Sequence, residues 1–378
     1  MENVTEEFEE CFSKLSDPRM ARRKLHPLNE ILFVVLCGSI CGAESWRDFV
    51  VFGNEKLDFL KTHFAYANGI ASKNTFARVL EVLDPDLFRA CFMDWVKALQ
   101  ATWGTDVIAI DGKTLRNSAA PSQGVRAIHM VSAFATHARL VLAQQKVDEK
   151  SNEITAIPAL LALLDVTGQI VTIDAMGCQR AIAQQIQDQG ADYILALKGN
   201  QETLHDDVRL FLEAEVAKPA SQAIDEVYED VDAGHGRIET RRCWVSHHLD
   251  WLEQKARWAG LKTVAMIEET REMDGHVSTE RRFFISSLPA DAQKIAHAVR
   301  AHWRVENSLH WTLDVVFNED GSRVRTGNAP QNMAIIRHFV FNMLNNAKQR
   351  VKDISLKALR KKAGWGNASL QFILNQNF

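Results

Sequence analysis

The order of apolar segments between residues 107 and 199 constrains the fold of this chain most. Three segments typical of buried or half-buried strands come first, VIAID, IHMVSAFA and RLVLAQQKV, and the short joint THA between the last two fits a hairpin. A helix, a strand, a second helix that ends at Gly190 and a last strand follow. This order predicts a mixed sheet with helices packed against it.

By topology alone, the order corresponds to an α/β fold with a ribonuclease H-like mixed sheet and flanking helices. The remaining sequence divides around this core. The predicted parts are a helical N-terminal domain (1–100), the first part of the catalytic core (101–200), a β-rich insertion (201–288), a catalytic helix region (289–345) and a basic C-terminal tail (346–378).

Composition and charge narrow the class of protein. Of the 378 residues, 46% are hydrophobic and 24% charged, as in globular proteins, and no apolar run reaches the ~18 residues of a membrane-spanning helix. The acidic N-terminus lacks a signal-peptide pattern, so we expect a cytoplasmic protein without a membrane partner. The net charge of −4 does not by itself indicate a nucleic-acid-binding protein, but basic residues cluster over 19–26 and 348–362.

Two of the predicted strands end in an aspartate after a β-branched apolar run. Asp111 follows VIAI and Asp174 follows IVTI, and burying a carboxylate there is costly unless a cation, strong donors or water compensate. Glu306 is the third candidate, on a helix after the insertion, with His302 and His310 one turn before and after it. Three such carboxylates can hold two Mg²⁺ or Mn²⁺ ions for in-line phosphoryl transfer.

Long stretches of the chain resemble the H-repeat-associated transposases, insertion-sequence proteins of the DDE class found next to Rhs elements. In the second part of the chain the resemblance rests on AIDGKTLRNS, TIDAMGCQ, ALKGNQ and HWRVENSLHWTLDVVFNEDGSRVRTGNAPQN. In the first part it rests on DPRMARRKLHPLNEIL, CGAESWRDFVVFG and LDPDLFRACFMDWV.

This resemblance implies a ribonuclease H-like catalytic core that cuts and joins the ends of its own DNA element. It also implies that Asp111, Asp174 and Glu306 are the catalytic residues and the ligands of two Mg²⁺ (or Mn²⁺) ions. The expected partner is double-stranded DNA, as element ends and as target, bound by a homodimer. We therefore expect a cytoplasmic protein that associates with the nucleoid when it binds DNA.

One part of the wider DDE pattern is missing. The class often has a tyrosine, an arginine and a lysine around the glutamate, and their places here hold Val299, His302 and Leu313. Arg304 and His310 are the nearest substitutes for these phosphate contacts.

Several basic and imidazole side chains are candidates for DNA contact. Lys113 follows Asp111 by two residues, so its side chain is predicted on the same side of the strand. The segment 72–83 is the best candidate for a recognition helix, because Ser72 can cap it and Lys73 and Arg78 are predicted to be exposed. The predicted DNA-binding residues are Lys113, Lys198, His302, Arg304, His310, Arg323, Arg325, Arg22, Arg23 and Lys24.

Two further interpretations concern the segment around the third acid. Trp303 and Trp311 are predicted to pack against the sheet. Asp314 is a further candidate for a metal ligand or for a group that supports one. Asn200 and Gln201 are candidates for contacts with DNA bases or for caps of the acidic helix that follows them, and we favour capping.

Other functions compete with a transposase. A catalytically inactive or domesticated transposase would act as a DNA-binding protein only. A zinc hydrolase is disfavoured, because His302 and His310 lie two helical turns apart, roughly 12 Å, whereas the HExxH motif spaces its histidines by one turn. A purely structural protein would leave the two strand-terminal aspartates and the basic clusters without an explanation.

Overall fold

The structure, a computed structural model, describes residues 2–20, 24–100, 104–119, 121, 124–148, 152–234, 236–351 and 353–378. Within these ranges the chain forms a nine-stranded sheet with helices packed against it. Two of the predicted DNA contacts, Arg22 and Arg23, lie outside the described residues.

Six helices precede the first strand: α1 (Glu2–Cys11), α2 (Leu28–Ile40), α3 (Trp46–Glu55), α4 (Leu57–Leu60), α5 (Lys73–Val82) and α6 (Pro85–Gln100). Local capping sets several of their starts. Ser72 accepts a hydrogen bond from the Thr75 amide at the start of α5, as the sequence predicts. α2 is apolar on nearly all sides and is buried almost throughout.

The predicted order of strands and helices from residue 107 is confirmed. The elements are β1 (Val107–Leu115), β2 (Ile128–Ala135), β3 (Leu140–Lys146), α7 (Glu153–Leu161), β4 (Ile170–Ile173), α8 (Arg180–Asp188) and β5 (Asp192–Leu197). β1, β2 and β3 are antiparallel neighbours, and β4 and β5 run parallel to β1. In space the order is β3-β2-β1-β4-β5.

The segment that follows enlarges this sheet. It contains α9 (Glu202–Val216), β6 (Glu226–Gly234), β7 (Arg237–Ser246), β8 (Thr263–Met273) and β9 (His276–Ser286). β9 pairs antiparallel with β5, and β8, β7 and β6 follow outwards. The predicted β-rich segment therefore continues the central sheet, because the apolar residues at one end of β8 and β9, such as Val264 and Ile285, extend its core.

The last part of the chain is helical. It comprises α10 (Ala292–His302), a π-helix (Val305–His310), α11 (Trp311–Val315), α12 (Ala329–Gln349), α13 (Leu356–Trp365) and α14 (Asn367–Asn375). α12 is buried along almost its whole length and contacts β3 as well as α2, α5 and α6. The Asn342 amide on α12 bonds both the N–H (2.8 Å) and the C=O (2.9 Å) of Val141 on the outer strand β3. The N-terminal helices and the sheet therefore share one core.

The basic tail is folded. The guanidinium of Arg360 on α13 is buried, donates to the carbonyls of Val316 and Ser39, and lies over the Phe317 ring. This arginine thus joins distant segments and is withdrawn from the surface.

Among the described residues, no helix combines the length and the apolar character needed to cross a bilayer. The six cysteines are free thiols and four of them are buried, as expected for small core residues.

Candidate active site

Asp111 and Asp174 lie next to each other where β4 ends. β1 and β4 are parallel, and their last paired residues are Ile110 and Ile173, so the next residue of each chain segment is the aspartate. Neighbouring strands are about 4.8 Å apart, which brings the two carboxylates to one place.

β1 is longer than the sequence pattern suggests. It does not end at Asp111 but continues through Gly112 to Leu115, paired with β2. Beyond Ile173 no described strand pairs with the other edge of β1. We call the space beside residues 111–115 of β1, past the end of β4, the notch.

The carboxylate of Asp174 caps the turn that terminates β4. It accepts hydrogen bonds from the amides of Met176 (3.1 Å) and Gly177 (3.4 Å). Burial and the negative charge of Glu153 nevertheless raise its pKa above the usual range, while the positive charge of Lys198 acts in the opposite direction.

The residues after β5 support this turn. Asn200 donates to the carbonyl of Ala175 at 2.5 Å, and Gln201 donates to the carbonyl of Cys178 at 2.9 Å. Neither side chain caps α9, so that prediction was wrong. Both amides instead bond backbone carbonyls of the segment that follows Asp174.

Asp111 is the most perturbed acid of the site. Burial is the main reason that its pKa rises to about 7, and the charges of Asp174, Glu153 and Glu306 raise it further, against a hydrogen bond from the Gly112 amide. Asp111 and the three carboxylates that repel it are therefore close enough to interact electrostatically. A bound cation would favour the ionised form of Asp111.

Glu306 comes from a π-helix and not from the regular α-helix that the i, i+4, i+8 spacing predicted. α10 ends at His302, and Val305–His310 is wound with the wider π turn, a local form frequent at functional sites. Val305 and Leu309 are buried and Glu306 is exposed. His310, at the end of this turn, has Nδ1 3.6 Å from Oδ2 of Asp111, which brings the turn to the notch.

The oxygen atoms of the three acids are spread more widely than the ligands of one ion. In the described part of the chain, one set of three His, Cys, Asp or Glu side chains has all its ligand atoms within 4.8 Å of one another, and that set is Asp225, His247 and His248 on the surface. Asp111, Asp174 and Glu306 are therefore not gathered within that distance of one another.

The two histidines are uncharged at neutral pH. His302 Nδ1 lies 3.0 Å from the Thr172 hydroxyl on β4, and burial lowers the pKa of this ring to about 4. Burial, and then the charge of Lys113, lower the pKa of His310 to about 3. Either ring can hydrogen-bond a phosphate, but neither brings a positive charge to it.

Lys113 does lie on the Asp111 side of β1, yet it is not free for phosphate. Its Nζ contacts carboxylates of Asp314 (2.6 Å), Glu319 (3.2 Å) and Asp320 (3.3 Å), and only 11% of its side chain is exposed. Asp314, a candidate metal group, is thus partnered by this lysine. The cluster fastens the segment after the π-helix to β1.

The other predicted DNA contacts are on the surface. Arg304, Arg323 and Lys198 are exposed. Arg325 is also exposed and donates to the carbonyl of Asn117 at 2.8 Å. Lys24, far from this group in sequence, is 3.7 Å from an oxygen of Asp17.

The prediction that Trp303 and Trp311 pack against the sheet was wrong. Their exposed fractions are 37% and 55%, because Val305 and Leu309 occupy the core positions of this turn. The guanidinium of Arg282 lies 4.6 Å from the centre of the Trp303 ring. The two indoles therefore flank Glu306 on the outside of the protein.

A groove of about 1250 Å³ runs between α10 and the face of β6–β9. Trp303, Arg304 and Asn307 line one end of it, and none of the three acids does. Many of its charges are paired with one another; Arg300, for example, contacts Asp230 at 2.5 Å and Asp232 at 2.7 Å. The groove adjoins the site but is not a simple basic track.

Sequence reasoning missed a fourth acid, Glu153, at the first position of α7. Its Oε1 lies 2.5 Å from Nε2 of His129, whose Nδ1 is 2.8 Å from the hydroxyl of Thr114. A glutamate in the first turn of a helix is common and carries no signal of its own. The available signal was Gly112, since a glycine inside a strand often marks a close approach of another group.

Two family models and several named relatives match this chain. The family model described as Transposase DDE domain matches residues 102–343, and the model described as DDE_Tnp_1-associated matches residues 9–96. The Escherichia coli (strain K12) protein named H repeat-associated putative transposase YhhI is 41% identical over 372 residues, which cover 97% of each chain.

Two other relatives differ in coverage. A Xanthobacter autotrophicus protein named Uncharacterized protein in dhlA 3'region is 50% identical over 285 residues, 74% of this chain and 94% of that protein. The E. coli (strain K12) protein named Inactive transposase YbfQ is 42% identical over 71 residues, 19% of this chain and 84% of that protein. The resemblance seen in the sequence motifs is confirmed over most of the chain, which belongs to the DDE transposase family.

Proposed function

We propose that this chain is an active DDE transposase that cleaves and transfers DNA strands at the ends of an insertion sequence, with divalent metal ions at Asp111, Asp174 and Glu306. The observation that carries the proposal is the parallel pairing of β1 with β4, which sets the two aspartates side by side at the notch. The π-helix that contains Glu306 lies against the same place, through His310.

The donor set fits two Mg²⁺ or Mn²⁺ ions. These ions prefer carboxylate oxygens and retain several waters. Burial, and then repulsion from the neighbouring carboxylates, raise the pKa of Asp111 to about 7. A bound cation would offset this destabilisation of the ionised carboxylate. When bound, a metal pair activates the attacking water or 3′-hydroxyl and stabilises the departing oxygen.

The residues of the chain supply the arrangement for this chemistry. Asp111 is held on a central strand, and Asp174 is fixed by the amides of the turn it caps. Glu306 is an exposed residue of the π-helix. The uncharged rings of His302 and His310 close off the inner side of the turn. Rigid strands and a locked turn keep the carboxylates in place without substrate.

We also propose that the core is ribonuclease H-like. In support, three antiparallel strands are followed by two parallel ones, in the spatial order β3-β2-β1-β4-β5, with α7 and α8 as connections. Fold and function are separate claims, and the second rests on the carboxylates.

Double-stranded DNA is the proposed substrate, bound by a homodimer because two element ends must be brought together. Four exposed cations, Arg304, Arg323, Arg325 and Lys198, are suited to phosphate contacts. The chain would act in the cytoplasm, at the nucleoid when bound.

An inactive or domesticated transposase is the second candidate, favoured by one relative that is named Inactive transposase YbfQ. That relative covers a fifth of this chain, whereas this chain has all three acids, two from the sheet and one from the π-helix. Such a protein would bind DNA ends and leave them uncut.

The test is a cleavage and strand-transfer assay on linear DNA that carries the inverted repeats flanking the coding sequence, with Mg²⁺ or Mn²⁺. Wild type should nick the ends, and Asp111→Asn and Glu306→Gln should bind the same DNA and cleave it at least ~10³-fold more slowly. Glu280→Gln, an exposed acid on β9, is the matched control and should cleave normally. Binding without cleavage by wild type would support the inactive alternative, and cleavage by Asp111→Asn would contradict the assigned site.

A further inference from the structure

The notch can be reached from both faces of the sheet. Side chains alternate along a strand, so Asp111 and Lys113 point to the side of the π-helix and α11, while Gly112 and Thr114 point to the side of α7. Past Ile173 no described strand covers this edge of β1. An ion in the notch is therefore accessible to ligands from α7 as well as from the π-helix.

Glu153 occupies the α7 side of this opening. A Cβ atom at position 112 would clash with Oε1 of Glu153 and would lie 2.7 Å from its Cδ, and it would reach Nε2 of His129 at 2.5 Å. The carboxylate thus rests directly on the backbone of β1, at the residue next to Asp111. Glycine at 112 is what permits this approach.

One oxygen of Glu153 is held and the other is free. His129 bonds Oε1, and Thr114 bonds the far nitrogen of the same ring, which fixes the ring orientation. Among the described residues, no donor contacts Oε2. Carboxylates that ligate metals are commonly held in this way by a second residue.

Glu153 is also close to both catalytic aspartates. Its charge raises the pKa of Asp111 and is the second cause, after burial, of the raised pKa of Asp174. The bond to His129 satisfies one oxygen of Glu153 but leaves its repulsion with the two aspartates uncompensated. A divalent cation among these carboxylates would compensate it.

We propose that Glu153 is a fourth carboxylate ligand of the divalent-ion site, entering the notch from the α7 side opposite Glu306, and that His129 is the positioning residue that orients it. This inference rests on the proposed metal-dependent function and adds a ligand that the DDE pattern does not contain.

The test measures metal binding directly, on the full chain without DNA, by electron paramagnetic resonance of free Mn²⁺. Glu153→Gln should weaken Mn²⁺ binding by at least ~10-fold. Glu202→Gln is the matched control, since Glu202 is an exposed first-turn glutamate of another helix, and it should bind Mn²⁺ like wild type. Circular dichroism and thermal unfolding establish that each variant is folded.

Two further variants separate ligation from folding. Gly112→Ala keeps the Glu153 carboxylate but displaces it, and it should also weaken Mn²⁺ binding. His129→Gln, which can still donate to Glu153, should bind Mn²⁺ more tightly than His129→Ala, a difference that a merely structural histidine would not produce.

Each outcome decides a different claim. Folded Glu153→Gln with wild-type Mn²⁺ affinity overturns the fourth ligand and leaves the three-acid site intact. If Asp111→Asn binds Mn²⁺ with the same affinity as wild type, the metal site itself is overturned, and the fourth ligand with it.

Discussion

The imidazole Nδ1 of His310 lies 3.6 Å from Oδ2 of Asp111, yet the ring does not neutralise the acid. Burial and nearby positive charges lower the pKa of His310 to about 3, and burial and nearby carboxylates raise the pKa of Asp111 to about 7. Among the described residues, no lysine or arginine forms an ion pair with Asp111. Without metal, ionised Asp111 therefore has no ion-pair partner among these residues.

This relationship predicts how stability depends on pH without metal. The folded-state pKa of Asp111 lies above its unfolded value of 3.8, so the folded chain holds the proton more tightly. Its contribution to the free energy of unfolding should fall by about 1.4 kcal/mol per pH unit as pH rises from 5 to 7. In EDTA, Asp111→Asn should remove this fall and be more stable than wild type at pH 8.

Urea denaturation at pH 5, 6, 7 and 8 measures the difference between the two proteins. Adding Mn²⁺ should then raise the stability of wild type and leave Asp111→Asn nearly unchanged. A stability difference that is constant across this pH range would contradict the raised pKa of Asp111.

Lys113 should be critical for folding. Replacing it with methionine leaves Asp314 without its cation and leaves Glu319, whose side chain is only 2% exposed, with Arg337 as its remaining cation. Removing one partner of a buried ion pair typically costs 3–5 kcal/mol, and Arg337 compensates part of this, so we expect a loss of about 3 kcal/mol or less in the free energy of unfolding. Denaturant titration at pH 7 measures it.

The control for this substitution is Lys14→Met. Lys14 pairs with Asp94 at 2.7 Å, but both side chains are largely exposed and solvent screens the pair, so the loss should be much smaller than for Lys113→Met. Equal losses for the two lysine variants would show that the acidic cluster does not depend on Lys113.

Arg360 should be structural although it belongs to a basic stretch. Arg360→Met would remove the side-chain donor of the Val316 carbonyl and one of the donors of the Ser39 carbonyl, which also accepts from the Gly42 amide, and an unsatisfied buried carbonyl costs about 1–3 kcal/mol. We therefore expect a clear drop in the melting temperature. The neighbouring Lys361 is exposed, and Lys361→Met should melt like wild type, so a similar result for both variants would argue against the buried role.

Binding to duplex DNA should weaken steeply as salt rises, because phosphate contacts release counterions. Arg304 is exposed and lies two residues before Glu306 in the chain, and Arg304→Ala should reduce the slope of log affinity against log salt by about one. Arg300, one turn earlier on α10, is already paired with Asp230 and Asp232, so Arg300→Ala should leave the slope unchanged. Fluorescence anisotropy at several salt concentrations measures both, and a flat dependence for wild type would contradict phosphate binding.

Local sequence patterns were sufficient for the order of the elements, and they pointed to two aspartates that the structure brings together. The strands around VIAI and IVTI are recognisable because β-branched apolar runs favour strands, and an aspartate after such a run stands out against them. The parallel pairing of β1 with β4, which sets Asp111 beside Asp174, does not follow from the order of the elements, because β2, β3 and α7 lie between these two strands in the chain.

The tertiary structure alone decided which charges are free and which are used. Lys113 is paired with acids some 200 positions away in the chain, Arg360 with carbonyls of distant segments, and Glu153 reaches the site only because Gly112 lacks a side chain. A helix pattern also did not reveal the π turn that leaves Trp303 and Trp311 outside. The physical reason is common to these cases. Propensity and periodicity depend on near neighbours in sequence, whereas ion pairing, burial and close approach depend on residues that only folding brings together.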